Sequence, residues 1–558
     1  MNGQDRTIAE RMFPVVLVVA MLVTTAARAG DVMYRVRDEV LHDIDPRLFG
    51  QFMERPSWGE IGPEGALVPG THELQPKVVE LLERMKIPII RFPGGTDVHV
   101  LDWRDMISHV PGRGADRPVS TGHKGDKVTN NFGYDEFLRL CKRLRAEPII
   151  VVGLFQAHQG RKPLAEAALE AAGLVAYCNA RQGAKLPEGM PDWPSVRALN
   201  GHPEPYGVKY WQIGNETWFY FKKLKKVLPG RAAKHYADCV MAYARAMLAV
   251  DPDIVFIVDG HGPTYEATRL VRDQLGDKVR HFVFHDYLPW AIGKDVKKDG
   301  KAVAVDELSV TDIWYAWVAT PYIDDDGLSY FSEPIMDEAR RKGFKIAVTE
   351  WNWNGWWTRP RGALNSSLAK GIGAAGFLHA LMRSADVIEI GCQSMLVGKS
   401  WGISAILADP EATEPPYYMP SGQATMLYSR HHGPKLLALE ATGIPTYVQP
   451  IRMEGIRPRD KVAYLDSLVT ASDETVFFHV ISRHFDEAIE INVDVTDVGR
   501  FTGKARHYVL TGRLRNRPGP GQPRQVADIT HTDMTYDGRV LKVVLPARSV
   551  SCIELYRK

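Results

Sequence analysis

Between residues 46 and 415, short apolar runs alternate with longer amphipathic segments, and this alternation constrains the fold more than any other feature. The eight apolar runs are Leu48–Glu54, Pro88–Gly94, Pro148–Phe155, Tyr210–Glu216, Ile254–Gly260, Phe282–Tyr287, Ile346–Glu350 and Val387–Ser394. Eight strands separated by helices predict a (β/α)8 TIM barrel over residues 46–415. The runs are apolar at successive positions, as is typical of parallel strands covered by helices. A doubly wound open sheet is the alternative, but no GxGxxG follows the first run.

After residue 415 the pattern changes to alternating apolar and polar residues broken by Asp-, Gly- and Pro-rich turns. The alternating segments are Val462–Leu468, Thr475–Ile481, Ala488–Val495, Ala505–Leu510, Val540–Leu545 and Ser549–Leu555. They predict a C-terminal antiparallel β-sandwich over residues 416–558. Residues 30–45 also alternate, and we expect them to add a strand to this sandwich. Without a distinctive aromatic strip, the sandwich is interpreted as a scaffold packed on the barrel.

The first 29 residues have the order of a secretory signal peptide. Arg6 and Arg11 precede the apolar run Phe13–Val23, and Ala27-Arg28-Ala29 supplies a small-residue cleavage site. A membrane anchor is the alternative, but the run is shorter than the roughly 20 residues that a spanning helix needs. The sequence therefore predicts a secreted or periplasmic protein.

Composition and charge narrow the class of partner. The chain of 558 residues is 45% hydrophobic and 24% charged, with a net charge of +2. This balance gives no reason to expect nucleic acid or an anionic membrane as a partner. The five cysteines are scattered without CxxC spacing, and the chain has neither an HExxH motif nor a Cys/His cluster. We therefore expect no metal and no cofactor.

Two of the predicted strands end in a glutamate flanked by polar and aromatic residues. Glu216 closes the fourth run after Asn215, and Glu350 closes the seventh before Trp351. The C-terminal ends of barrel strands carry the active site, so these two carboxylates are expected to face each other. Paired carboxylates are the working groups of glycosidases, and a separation of about 5 Å gives a retaining enzyme. Two unrelated solvated glutamates are the alternative.

The chain resembles the retaining α-L-arabinofuranosidases of glycoside hydrolase family 51 through an ordered series of short motifs. None is specific alone, and together they span most of residues 45–435. The matching segments are FGQFME at 49–54, RFPGG at 91–95, WRD at 103–105, NFGYDEF at 131–137, GNE at 214–216, TEWN at 349–352 and LYSRHHG at 427–433.

The resemblance implies a role for each matching residue. Glu216 would be the general acid/base and Glu350 the nucleophile. Glu54 and Asn215 would hold sugar hydroxyls, and Tyr287 would lie beside the nucleophile. Three further residues are assigned to the substrate pocket. Gln393 would complete the pocket on the eighth strand, and Arg91 would support Glu350 by hydrogen bonding. Trp351 would belong to a stacking surface. The alternatives are packing in the barrel rim for Tyr287, a structural ion pair for Arg91 and a core amide for Gln393.

Two features depart from the family pattern. Thr96 stands where the family places a substrate-contacting Asn after Pro-Gly-Gly, which changes the contact expected there. After Glu350, four Trp fall within the seven residues 351–357. They are interpreted as a stacking surface for sugar rings, with a hydrophobic clamp as the alternative.

The sequence thus predicts an exported exo-acting α-L-arabinofuranosidase with plant cell-wall carbohydrate as its substrate. The alternatives are an endo-β-glucanase or β-xylosidase of the same clan and, in another class, a carbohydrate-binding protein that has lost catalysis. The resemblance also suggests a homo-oligomer, which no residue pattern decides.

Overall fold

The computed structural model describes residues 32–57, 59–287, 296–319, 334–353, 367–453, 456–514 and 524–558. The predicted signal peptide, Trp58, and Trp356 and Trp357 of the tryptophan-rich segment lie outside these ranges. No helix within them has the length and apolarity to cross a membrane.

Eight strands close into a parallel barrel, which confirms the predicted (β/α)8 fold. In chain order, β1 to β8 are Gly50–Phe52, Ile89–Phe92, Glu147–Val152, Tyr210–Ile213, Val255–Asp259, Val279–Tyr287, Lys345–Asn352 and Ile388–Ser394. Each strand pairs with the next, and β8 closes on β1 with Cys392 opposite Gly50. Each observed strand overlaps the corresponding apolar run of the sequence.

The barrel is filled by side chains and covered by helices. One inward-facing layer includes Ile89, Ile149, Tyr210, Ile257 and Val283, all buried. The surrounding helices are Pro76–Met85, Tyr134–Leu144, Leu164–Asn179, Trp193–Leu199, Thr217–Val227, Ala232–Leu248, Tyr265–Leu275, Val310–Val318, Pro334–Lys342 and Ser367–Arg383. Because the interior is packed, a substrate reaches the barrel only at its rim, where the strands end.

The first barrel helix illustrates how the sequence fixes these elements. Pro76 occupies its first turn, where a missing N–H costs nothing. Val78, Leu82 and Met85 recur on one face and are buried against the barrel. The helix ends at Lys86, which adopts a left-handed conformation with φ of 57°.

One helix lies beyond the predicted domain boundary at residue 415. Pro420–Arg430 packs against the barrel helices Pro76–Met85 and Ser367–Arg383, so the barrel layer continues past this boundary. The helix is rich in small and polar residues, including Ser421, Gly422 and Thr425, that are nevertheless buried. The periodicity of apolar residues therefore does not predict this helix.

The C-terminal part is one mixed sheet of nine strands that is curled like a sandwich. The strand order is Ala527–Thr535, Phe501–Gly512, Ser549–Arg557, Thr475–Ser482, Leu465–Ala471, Lys435–Thr442, Val32–Asp43, Ile489–Asp494 and Val540–Leu545. The predicted all-antiparallel pairing is wrong at one place, because Val32–Asp43 runs parallel to Ile489–Asp494. It lies between two strands of opposite direction and must run parallel to one of them.

A buried ion cluster joins the sheet to the barrel. Asp466 of the sheet accepts hydrogen bonds from Arg383 and His379 of a barrel helix, and from Arg483 at 3.0 Å. Burial alone would raise the pKa of Asp466, but the charges of Arg383, His379 and Arg483 hold it well below its usual range. The charge of Asp466 therefore stabilises the junction above the unfolded pKa of about 4, and this contribution is lost as pH falls.

Asp466→Asn tests this junction. The substitution leaves two guanidinium groups without their carboxylate, and we expect it to lower the free energy of unfolding by about 3–5 kcal/mol. The measurement is urea unfolding at pH 7. The matched control is Asp533→Asn, which breaks an exposed Asp–Arg pair with Arg506 and should leave the midpoint unchanged. Equal midpoints for the two variants would contradict the interpretation.

Candidate active site

The two predicted catalytic glutamates meet at the C-terminal mouth of the barrel. Glu216 follows β4 and precedes the helix Thr217–Val227, with a left-handed φ of 49°. Glu350 lies in β7 at a register shift against β6, and such a bulge re-aims a side chain. One carboxylate oxygen of each residue lies within 4.8 Å of the other. This separation fits a retaining glycosidase, in which the carboxyl groups are about 5–5.5 Å apart.

A buried arginine holds the nucleophile candidate. Arg91 of β2 donates from Nη1 to Glu350 Oε1 at 2.8 Å and from Nη2 to Asn215 Oδ1 at 2.6 Å. Its Nε donates to Gln212 Oε1 at 2.7 Å. Arg91 is fully buried, so its guanidinium contacts these protein groups rather than solvent and holds them in position. These contacts agree with the alternative given in the sequence analysis, in which Arg91 forms a structural ion pair.

Tyr287 lies beside Glu350, as the family resemblance implies. Its hydroxyl donates to Glu350 Oε2 at 2.8 Å. With Arg91 on Oε1, both oxygens of Glu350 accept a hydrogen bond from a fixed donor. The carboxyl group is thereby held in one orientation.

Glu216 has a different environment. It is partly exposed, with 26% of its side chain accessible, and its Oε1 lies 3.1 Å from His285 Nδ1. Burial raises the pKa of Glu216 to about 7, against the opposing charge of Arg91. Burial lowers the pKa of His285 to about 3, so this imidazole is neutral at working pH. A carboxyl that keeps its proton near neutrality suits a general acid.

Asn215 is fixed at both its side chain and its backbone. Since Oδ1 accepts from Arg91, the amide nitrogen is the group left to donate to a sugar hydroxyl. The backbone carbonyl of Asn215 lies 2.7 Å from His99 Nε2. His99 Nδ1 accepts from the Leu154 N–H, so Nε2 carries the proton and donates to Asn215.

Glu54 lies just beyond β1 with its carboxyl group directed over Gly95. It is buried, and its Oε1 has no hydrogen-bond partner among the residues that the structure describes. Burial, and then the charges of Glu350 and Asp97, raise the pKa of Glu54 well above its usual range. A Cβ at Gly95 would lie 1.7 Å from Glu54 Oε1, so only glycine leaves room for this side chain. Thr96 follows Gly95 and is partly exposed.

Two predicted substrate contacts are wrong. Gln393 accepts from the Thr425 hydroxyl at 2.7 Å and donates to the Ser421 carbonyl, so it lies between the barrel and a helix as a core amide. Trp351 is fully buried and stacks on Phe377, with ring centroids 5.6 Å apart. Both side chains point outward from their strands, toward the helical layer.

Trp353, from the same predicted stacking surface, is also fully buried. Its ring packs on Phe377 and against Gly373, and both partners lie on the helix Ser367–Arg383. The hydrophobic clamp, the alternative for the tryptophan-rich segment, describes Trp351 and Trp353.

Four site residues were not predicted as such, namely Gln212, His285, His99 and Thr349. Gln212 orients Arg91, and His285 links Glu216 to the Thr349 hydroxyl through Nδ1 and Nε2. For Gln212, His285 and Thr349, the signal available in the sequence was a polar residue near the end of an apolar run. His99 lies in the short 3-10 helix Thr96–His99, outside the strands, and had no such signal in the sequence.

Glu216, His285 and Glu350 lie close enough to one another to ligate a cation. However, Arg91 and Tyr287 already donate to both oxygens of Glu350, and the guanidinium charge would repel a cation. The arrangement suits proton transfer and nucleophilic attack better than metal binding.

Comparison with known proteins agrees with this geometry. Residues 81–287 match the "Alpha-L-arabinofuranosidase 1 domain" model, and residues 350–549 match the "Alpha-L-arabinofuranosidase C-terminal domain" model. An α-L-arabinofuranosidase structure from Thermotoga maritima, an arabinose complex, superposes with a TM-score of 0.68 at 25% identity over 94% of this chain and 100% of that one. The chain belongs to the α-L-arabinofuranosidases of glycoside hydrolase family 51.

Curated relatives match this family member over part of their length. "Alpha-L-arabinofuranosidase C" of Emericella nidulans is 31% identical over 41% of each chain. The "Intracellular exo-alpha-(1->5)-L-arabinofuranosidase" of Acetivibrio thermocellus is 28% identical over 45% of this chain and 47% of its own. The chain thus aligns with less than half the length of these two relatives.

The pH dependence of this family 51 enzyme tests the origin of the Glu216 pKa. A general acid acts in its protonated form, and for Glu216 this form predominates below about pH 7. If Glu216 is the acid, kcat/KM should fall as pH rises through that value. Trp218→Ala removes a buried ring that packs on His285 and should admit water. We expect the alkaline limb to move down by about one pH unit.

The matched control is Phe219→Ala on the same helix, where the ring is 56% exposed. This variant should retain the wild-type limb in the same pH–rate profile. A limb that stays in place for Trp218→Ala would mean that burial does not set the pKa of Glu216.

Proposed function

We propose that the chain is a retaining, exo-acting α-L-arabinofuranosidase that removes arabinofuranosyl units from plant cell-wall polysaccharide or its oligosaccharides. The observation that carries the proposal is the pair Glu216 and Glu350, with oxygens within 4.8 Å and opposite electrostatic environments. One carboxyl group keeps a proton near neutral pH, and the other is held by two hydrogen-bond donors.

In the first step, Glu350 attacks the anomeric carbon while Glu216 gives its proton to the departing glycosidic oxygen. The bond from Glu350 to the sugar forms as the glycosidic bond breaks, and the aglycone leaves as an alcohol. His285 contacts Glu216 Oε1 and leaves the other oxygen, Oε2, to carry the proton. Arg91 and Tyr287 keep Glu350 aligned for attack.

In the second step, Glu216 is a carboxylate and accepts a proton from water. The water oxygen attacks the anomeric carbon, the ester bond to Glu350 breaks, and the sugar leaves with its original configuration. The two displacements restore the protonation states of both glutamates.

Glu54 and Asn215 are the proposed contacts to hydroxyl groups of the arabinofuranosyl unit. Burial raises the pKa of Glu54, which favours its protonated form, and a protonated carboxyl group can both donate and accept. The amide nitrogen of Asn215 supplies a donor beside Glu216. The structure of the Thermotoga maritima relative is an arabinose complex, which supports a carbohydrate as the substrate.

Product stereochemistry tests the mechanism. NMR during hydrolysis of a nitrophenyl α-L-arabinofuranoside should show the α-anomer first. Glu350→Ala should lower kcat by about four to six orders of magnitude, as for removal of other covalent nucleophiles. Glu216→Ala should spare activated aryl leaving groups more than unactivated sugars, because the former need no proton. A first-formed β-anomer would exclude double displacement.

The same assay separates the alternatives. An endo-β-glucanase or β-xylosidase would prefer a soluble glucan or a nitrophenyl xyloside to the arabinofuranoside. For an inactive carbohydrate-binding protein, Glu350→Ala would change nothing measurable. Lys234→Ala, which alters an exposed helical ion pair, controls for handling of the variants.

We also propose that the protein is exported, on the strength of the signal-like residues 1–29. Expression of the full chain in a bacterial host should yield a protein that begins at Gly30 outside the cytoplasm. N-terminal sequencing measures this, and Ala29→Arg should block cleavage. An active cytoplasmic protein that retains Met1 would contradict the proposal.

A further inference from the structure

A buried glutamate outside the catalytic pair binds the loop that follows β8. Glu60 is 1% exposed, and its two oxygens accept from the backbone N–H groups of Lys399 at 2.8 Å, Ser400 at 2.9 Å and Trp401 at 3.1 Å. The Ser400 hydroxyl donates a further bond at 3.1 Å. A carboxylate that receives three consecutive backbone N–H groups fixes the loop conformation at that point.

The sequence at Gly398 is adapted to this contact. A Cβ at this position would lie 2.6 Å from Ser404 Oγ and 3.3 Å from the Glu60 carboxyl group. The loop after β8 and the loop after β1 therefore approach as closely as backbone and carboxylate allow. Glu54, proposed to bind sugar, lies six residues before Glu60 on that same β1 loop.

The loop after β8 returns to the mouth of the barrel beside the nucleophile. Asn352, two residues after Glu350, donates to the Ile403 carbonyl at 2.9 Å. Ile403 is buried in the inward-facing cluster of the barrel together with Phe52 and Met395. The ring of Phe52 in turn lies under the Arg91 guanidinium, at 4.5 Å. Residues 401–403 therefore lie on the side of the site occupied by Glu350.

The loop after β8 carries an aromatic residue, Trp401. It packs against the inward-facing barrel cluster yet remains partly exposed, unlike Trp351 and Trp353, which are fully buried. A partly exposed indole at the mouth of the barrel offers an apolar face to the C–H groups of a sugar ring.

We propose that Trp401 contacts the ring of the sugar that is bonded to Glu350 during the reaction, and that Glu60 is the positioning residue that holds Trp401 there. The inference rests on the proposed function and adds a specificity-determining contact to it. The loop lies beside β7 and β1, which carry the nucleophile and Glu54. The ring that it meets is therefore the arabinofuranosyl unit rather than the leaving group, which departs from the Glu216 side.

Kinetics of Trp401 and Glu60 variants on two substrates test the inference. Trp401→Ala should raise KM about fivefold to tenfold for both a nitrophenyl arabinofuranoside and an arabino-oligosaccharide, which corresponds to about 1–1.4 kcal/mol of binding. Because the contact is made in ground and transition states alike, kcat should change little. Inhibition by free arabinose should weaken by the same factor, and Trp401→Phe should recover part of it.

Glu60→Gln should raise KM in the same way, because an amide offers one acceptor oxygen and places N–H groups against the loop donors. In the double variant the two effects should not add, since both act through the position of the indole. Asp409→Asn is the matched control. It removes another carboxylate that accepts loop N–H groups, from Thr413 and Glu414, and should leave KM unchanged.

The outcomes separate this inference from the proposed function. A wild-type protein that neither hydrolyses arabinofuranosides nor binds arabinose would overturn the proposed function. An active wild type with unchanged KM in Trp401→Ala would overturn only the role of Trp401. A KM effect that depends on the leaving group would place Trp401 on the other side of the reacting bond, against the inference. Additive effects in the double variant would remove Glu60 from the positioning role.

Discussion

The buried guanidinium of Arg91 is the interaction on which the site depends. Its three nitrogens donate to Gln212, Asn215 and Glu350, so one side chain on β2 fixes residues of β4, the segment after it and β7. A buried charge is tolerated only when it is paired and hydrogen-bonded, and Arg91 satisfies both conditions. The same contacts that make Arg91 tolerable inside the barrel therefore set the orientation of Glu350, the proposed nucleophile.

This arrangement also sets the protonation of the other carboxyl groups. Glu350 takes the charge-assisted bond from Arg91, while Glu54 and Glu216 receive no hydrogen bond from it. Burial then dominates for both residues, and each has a raised pKa. The carboxyl group bonded to Arg91 fits the proposed nucleophile, and the two carboxyl groups with raised pKa values fit the proposed acid and hydroxyl-binding residue. The electrostatic difference among the three carboxyl groups follows the bond from Arg91, which only Glu350 of these three accepts.

The sequence could predict the strands and both glutamates, because apolar runs that end in polar residues identify strand ends. It could not predict which way a side chain points after a bulge. Gln393 faces outward and contacts the helix Pro420–Arg430, whereas its neighbours Cys392 and Ser394 do not make these contacts. A shift of the strand register by one residue would turn each side chain to the other face of the strand. The register shift in β7 likewise directs Glu350 into the site and Trp351 out of it. Thus the motif predicts the residue types, and local strand geometry decides their roles.

The backbone conformation at Glu216 directs the side chain of this proposed acid. A left-handed conformation at a residue with a side chain costs about 1–2 kcal/mol and needs support from its surroundings. Asp259, at the end of β5, accepts the N–H of Thr217 at 2.7 Å and also its hydroxyl, which fixes the residue directly after Glu216. Burial raises the pKa of Asp259 to about 7, and the charge of Glu216 adds to the effect. Since the two groups titrate in the same range and interact, the alkaline limb expected from Glu216 also contains the coupled titration of Asp259, and burial raises both pKa values.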